Sequence, residues 1–147
     1  MHEGYEWKSL RHRALIACDQ AGIALTPLRE AVLHGLWKAR SPRSAYELIS
    51  ELSEAQGRRI GPNSAYRILK LLSAAGLVRR VESKKTYCLS GMPDGVADIL
   101  ITCDGCGHVI EVSAKGVRNL LDQCSDTIGF QLSARPTEIA GRCHDCD

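Results

Sequence analysis

Two C-x-x-C pairs, Cys103-Asp104-Gly105-Cys106 and Cys143-His144-Asp145-Cys146, constrain this chain more than any other feature. Each pair offers two thiolates from one tight turn. Together the pairs offer a closed tetrahedral shell of four cysteines, the usual form of structural zinc. Thirty-six residues lie between Cys106 and Cys143, so a shared metal must staple two distant segments. Gly105 and Gly107 ease the first turn. The chain holds seven cysteines in all. An odd count behind a charged start, which lacks the apolar run of a secretory signal, argues against a disulfide framework. Two such pairs in one small module also argue against a redox dithiol. Of the remaining cysteines, Cys18 shares a helical stripe with Trp7, Leu10 and Ala14, and Cys124 shares one with Val117, Leu120 and Leu121. Both are expected in the core. Cys88 alternates with Tyr87 and Leu89 in a strand-like stretch and is the one further thiol with a functional expectation.

Charge divides where the cysteine pairs begin to matter. Lys and Arg number 19 and Asp and Glu 17, a net +2 over 147 residues. Residues 1–90 carry 15 basic against 8 acidic groups, or +7, and residues 91–147 carry 4 against 9, or −5. A basic half and an acidic half imply two modules with different partners. Apolar content of 44% is that of a globular chain. No apolar run is long enough to span a membrane, so a cytoplasmic location and no membrane partner are expected. Aromatic content of 5% argues against an aromatic-lined pocket for a small organic substrate.

Periodicity predicts an α+β chain of two domains. Residues 5–22 read as an amphipathic helix. Thr26-Pro27 starts a second, with a hydroxyl at N-cap and proline at N1. Ser44-Ala45-Tyr46-Glu47 is a capping box that opens a third. Asn63 or Ser64 is expected to cap a fourth, which Gly76 ends. Two short strands, residues 77–82 and 86–90, flank the polar turn Ser83-Lys84-Lys85. Helices followed by a hairpin make a winged helix-turn-helix domain over 1–90. A hinge over 91–96 leads to a small C-terminal α/β domain over 97–147. There strands are expected at 98–102, 108–112, 129–133 and 137–141, with a helix over 114–127. A module that small needs a staple, and zinc contributes on the order of 10–16 kcal/mol to such folds.

The fourth helix is the expected DNA reader. Ala65, Ile68, Leu69, Leu72 and Ala75 form its buried stripe. Asn63, Ser64, Tyr66, Arg67 and Lys70 are left for the major groove, where a guanidinium grips guanine through two hydrogen bonds. Arg58 and Arg59 before the helix suit phosphate contacts, as do Arg79, Arg80, Lys84 and Lys85 on the hairpin. Double-stranded DNA is therefore an expected partner.

The chain resembles the ferric uptake regulator superfamily of bacterial metal-responsive repressors. The resemblance is carried by Leu25-Thr26-Pro27-Leu28-Arg29, Ser44-Ala45-Tyr46-Glu47-Leu48, Ser64-Ala65-Tyr66-Arg67-Ile68-Leu69 and Ala75-Gly76-Leu77-Val78. In the second half it is carried by Cys103-Asp104-Gly105-Cys106-Gly107, Val109-Ile110-Glu111, Gly129-Phe130 and Gly141-Arg142-Cys143-His144-Asp145-Cys146. Val81-Glu82-Ser83 and Tyr87 look most like the zinc uptake branch. The resemblance implies a homodimer that binds palindromic operators through its winged helices and dimerises through the C-terminal domain. It also implies structural Zn(2+) on Cys103, Cys106, Cys143 and Cys146, and a recognition role for Tyr66 and Arg67. The family carries a histidine-rich stretch that builds a second, regulatory metal site, yet residues 79–102 here contain no histidine. Glu111 matches a family ligand. A regulatory site from Cys88, Asp94 or Asp98, and Glu111, with help from His108, is the corresponding expectation.

Two regulatory readings stay open. One is a zinc-dependent repressor. The other is a DNA-binding regulator with structural zinc only, constitutive or responsive to thiol oxidation at Cys88. An enzyme is not expected: four cysteines close the zinc shell, and the chain has no H-E-x-x-H and no phosphate loop.

Overall fold

The computed structural model describes residues 6–91 and 97–147. The chain divides into two compact units, Met1–Gly95 and Val96–Asp147. Asp94 and all but the first residue of the expected hinge lie outside the described residues.

The first unit begins with α1 (Trp7–Gln20) and α2 (Pro27–Ala39). Thr26 caps α2 by accepting from the Arg29 N–H, and Pro27 supplies a pre-set φ at N1. A two-residue strand, β1 (Arg43–Ser44), runs directly into α3 (Ala45–Gln56). The capping box closes both ways: the Glu47 N–H donates to Ser44 Oγ at 3.1 Å, and the Ser44 N–H donates to Glu47 Oε2 at 2.7 Å. Gly57, at φ +63°, turns the chain out of α3. After a short turn comes α4 (Pro62–Ala74). Its cap is not Asn63 or Ser64. Gly61 is the N-cap and Pro62 is N1, because proline lacks the N–H that N1 cannot use and already holds helical φ. The hairpin β2 (Val78–Val81) and β3 (Thr86–Leu89) follows, and Lys85 takes φ +52° in its turn. β1 pairs with β3, so the sheet order is β1-β3-β2, antiparallel throughout.

One face of each helix converges on a shared core. Leu33, Leu48, Leu69, Leu72 and Leu77 are each no more than 2% exposed, and Cys18 lies among them as expected. Burying each leucine contributes about 1.5–3 kcal/mol, so this cluster holds α2, α3, α4 and the base of the hairpin as one body.

The second unit has β4 (Ile99–Cys103), β5 (Val109–Val112), α5 (Lys115–Thr127) and β6 (Thr137–Gly141), with a single 3₁₀ turn at His144–Cys146. Its sheet order is β5-β4-β6. β4 is antiparallel to β5 and parallel to β6, the parallel pair being joined through α5. The strand expected at 129–133 is absent. The Phe130 N–H is taken by the Ser125 carbonyl at 2.8 Å, and the Ser133 carbonyl accepts from the Arg118 guanidinium at 2.5 Å. Backbone groups a strand would pair are bonded to the helix instead. Cys124 also departs from expectation. It is exposed, along with Val117 and Leu120 of its stripe, and α5 has no buried residue.

Candidate metal centre and nucleic-acid face

The parallel register of β4 and β6 builds the metal centre. Cys103 stands opposite Gly141, which brings the chain two residues short of Cys143. The Asp104 N–H donates to the Gly141 carbonyl at 2.8 Å and fastens the two turns. At the first pair, Gly107 takes φ +75° and its N–H bonds the Cys103 carbonyl at 2.9 Å. Gly105 is required by space: a Cβ there would sit 2.8 Å from both Cβ and Sγ of Cys146.

The four sulfurs of Cys103, Cys106, Cys143 and Cys146 all lie within 4.8 Å of one another. Zn–S bonds of about 2.3 Å place tetrahedral sulfurs about 3.8 Å apart. Cys106 Sγ and Cys143 Sγ are 3.8 Å apart. The donor set and its spacing therefore fit zinc. Backbone N–H groups of Cys143, Cys106 and Gly105 point at Cys103 and hold its thiol pKa down to about 6. The neighbouring sulfurs, Cys143 first, push that of Cys146 up to about 12, because four thiolates cannot share so small a volume without a cation.

The expected regulatory donors are distributed differently. Cys88 is half-buried on β3 of the first unit. In the second unit Asp98 precedes β4, and its Oδ2 accepts from the Ala114 N–H at 2.7 Å and from Ser113 Oγ at 3.4 Å. It thus anchors the chain at the start of α5. His108 precedes β5, and Glu111 lies on it, opposite Leu100. Among the described residues, Asp98, His108 and Glu111 do not form a second cluster like that of the four cysteines.

The candidate nucleic-acid face, as expected from the sequence, lies on the helix-turn-helix α3–α4 and the hairpin. On α4, Ala65, Ile68, Leu69 and Leu72 are buried, while Asn63, Ser64, Tyr66, Arg67 and Lys70 are exposed. Arg58, Arg59, Lys84 and Lys85 are exposed as well. Arg80 is held to the hairpin itself: its guanidinium lies 5.8 Å from the Tyr87 ring centroid and 3.4 Å from Glu82. Tyr46, outside the expected set, is a further exposed aromatic on this unit. It is 82% exposed at the start of α3, two residues after Ser44, and Ser44 pairs with Thr86 beside the Lys84-Lys85 turn. An aromatic side chain two places after a cap, off the helix's apolar stripe, was the signal available in the sequence.

No helix among the described residues is long and apolar enough to cross a membrane.

Comparison with known proteins covers both units. Over 131 residues the chain is 34% identical to the zinc uptake regulation protein of Escherichia coli K12, spanning 88% of this chain and 76% of that one. A solved zinc uptake regulator complexed with zinc and DNA superposes with a TM-score of 0.83 at 32% identity, covering 97% of this chain and 96% of that one. Holo XcZur superposes with a TM-score of 0.79 at 30% identity, covering 96% and 98%. Residues 20–139, which run from the end of α1 to within β6, match the ferric uptake regulator family, and the chain belongs to that family.

Proposed function

We propose that this chain is a zinc-dependent transcriptional repressor that binds a palindromic operator as a homodimer. The observation that carries the reading is the exposed polar face of α4. It presents Asn63, Tyr66, Arg67 and Lys70 on a helix whose other face is locked into the core, and a similar fold is solved with zinc and DNA. Arg67 supplies the guanine contact. Tyr66 and Tyr46 offer ring edges and hydroxyls, and Arg58, Arg59, Lys84 and Lys85 set affinity through phosphates. The basic +7 half suits that polyanion.

Zinc on Cys103, Cys106, Cys143 and Cys146 staples the second unit. A closed four-sulfur shell leaves no open position, so its role is structural. The homodimer is supported by apolar surface on the second unit. Ile110, Ile101 and Ile139 lie side by side across β5, β4 and β6, and each is at least 38% exposed. A second copy brings two recognition helices to half-sites about 34 Å apart.

A regulatory metal drawn from Cys88, Asp94, Asp98, His108 and Glu111 would couple metal and operator binding reciprocally. One observation favours the second reading, with structural zinc only: among the described residues Asp98, His108 and Glu111 do not gather into a ligand cluster, as the four cysteines do. Titration of the purified protein separates the two. A second zinc equivalent that tightens operator binding supports the zinc-dependent repressor. One equivalent, with operator affinity indifferent to added zinc, leaves the constitutive or thiol-responsive form. Operator recognition is tested by Arg67→Ala in a gel shift: sequence preference is lost while helix content is kept. Full retained preference would remove α4 as the reading surface.

A further inference from the structure

The second unit holds an irregular segment in a fixed position while leaving its largest side chain in water. Residues 129–136 form no strand or helix. Phe130, the only phenylalanine in the chain, is 65% exposed there, and Ile128 just before it is 77% exposed. The segment is nevertheless tied at both ends. At its start Gly129 turns at φ +72°, and the Phe130 N–H bonds the Ser125 carbonyl at 2.8 Å. Farther along, the guanidinium of Arg118 on α5 donates to the Ser133 carbonyl at 2.5 Å and the Arg135 carbonyl at 2.9 Å. Its Nε donates to Asp122, one turn along the helix, at 3.3 Å.

A guanidinium is suited to this task. Its donors are fixed in a planar fork, so one side chain can satisfy two carbonyls and a carboxylate at once. The Arg118 side chain is only 18% exposed, although its bonds to the two carbonyls lie at the surface and the bond to Asp122 is part-buried. Ordering an irregular segment costs backbone entropy, and holding a large ring in water forgoes its burial. Both costs are recovered only when something covers the ring.

In the 52 residues of Val96–Asp147, the buried side chains among the described residues are Ala97, Ile99, Leu100, Thr102, Cys103 and Val109. That is a thin core, to which α5 brings partly buried side chains such as Leu121 but no buried one. A second copy of the same unit is always available and brings the same surplus of apolar surface, so an isologous contact completes both cores together. Resting on the homodimer reading above, we propose that Arg118 is a positioning residue for dimerisation. It fixes the 129–136 segment so that Phe130 joins the face covered by the second copy.

The test is a dilution series of the zinc-loaded full chain by sedimentation equilibrium, on wild type, Arg118→Met, Phe130→Ser and the double variant. Zinc content and helix signal are checked for each. Arg118→Met is expected to weaken the dimer about tenfold, and the double variant to stay within about twofold of Phe130→Ser alone, because the arginine acts through the phenylalanine. Additive losses, or an Arg118→Met dimer as tight as wild type, overturn the positioning role while leaving the homodimer intact. A wild type that stays monomeric throughout overturns the homodimer reading itself, and this proposal with it. If Arg118→Met loses zinc or helix, Arg118→Lys replaces it in the same cycle. A lysine keeps the charge but not the two-carbonyl fork, so non-additivity with Phe130→Ser is again expected and additivity again overturns the role.

Discussion

Gly105 shows how one residue can decide whether a metal centre closes. Its neighbours leave no room for a methyl group, since the added carbon would sit 2.8 Å from the Cys146 side chain. Gly105→Ala must therefore displace either the Cys146 side chain or the turn that carries Cys103 and Cys106. Zinc affinity is expected to fall roughly 10–100-fold, as when the supports of a metal site are removed. Competition with a chromophoric chelator measures this, and unchanged affinity would contradict the crowded turn. The sulfurs themselves show why a dication belongs there. The Cys103 thiol pKa is held down to about 6, whereas that of Cys146 is pushed up to about 12. Near neutral pH, a shared positive charge is what lets both be thiolates at once. Cys18 has the same functional group in other surroundings. Burial pushes its thiol pKa up, and it packs as a small apolar side chain.

At the scale of the element, capping and exposed stripes do the explaining. The capping box at Ser44 fixes where α3 starts, and so where Tyr46 stands. Ser44→Ala removes the acceptor for the Glu47 N–H and is expected to cost about 1 kcal/mol, read as a lower denaturant midpoint. No change would mean that the helix start is held by β1 pairing alone. On α5 the stripe through Val117, Leu120 and Cys124 is exposed within one chain. If a second copy covers it, Cys124 reacts slowly with an alkylating reagent at concentrations where the dimer forms. It reacts faster on dilution below the dimer Kd. Equal rates at both concentrations would place the dimer contact elsewhere. The periodicity of that helix was legible in the sequence, but its destination was not. An apolar stripe looks the same whether it faces its own core or another chain.

For the whole molecule the separation of charge is the governing property. A net +2 conceals a +7 half that carries the helix-turn-helix and a −5 half that carries the sulfur cluster. Operator affinity should therefore fall steeply with salt, with a log–log slope of about −0.9 per phosphate neutralised. Arg58→Ala or Lys84→Ala is expected to lower that slope by about 1 and to weaken all duplexes alike. Arg67→Ala should instead erase the difference between operator and random DNA. Fluorescence anisotropy across a salt series distinguishes these patterns, and a slope near zero would argue against a DNA-binding role.

The sequence by itself determined the winged-helix order, the capped starts of α2 and α3, the buried stripe of α4 and the identity of the four sulfur donors. Each of these is written in local spacing: a 3.6-residue period, a hydroxyl three residues before an acid, two cysteines in one turn. Only the tertiary structure decided what depends on residues far apart in the chain. The parallel pairing of β4 with β6 set the sulfurs within one coordination shell. The segment expected as a strand at 129–133 is bonded to α5 through Phe130 and Ser133 instead. The occupation of Asp98 at the start of α5, and the outward face of Cys124, were settled the same way. Local patterns state what a segment can form, but which groups are left to bond, and which faces are left to cover, is known only once distant segments have met.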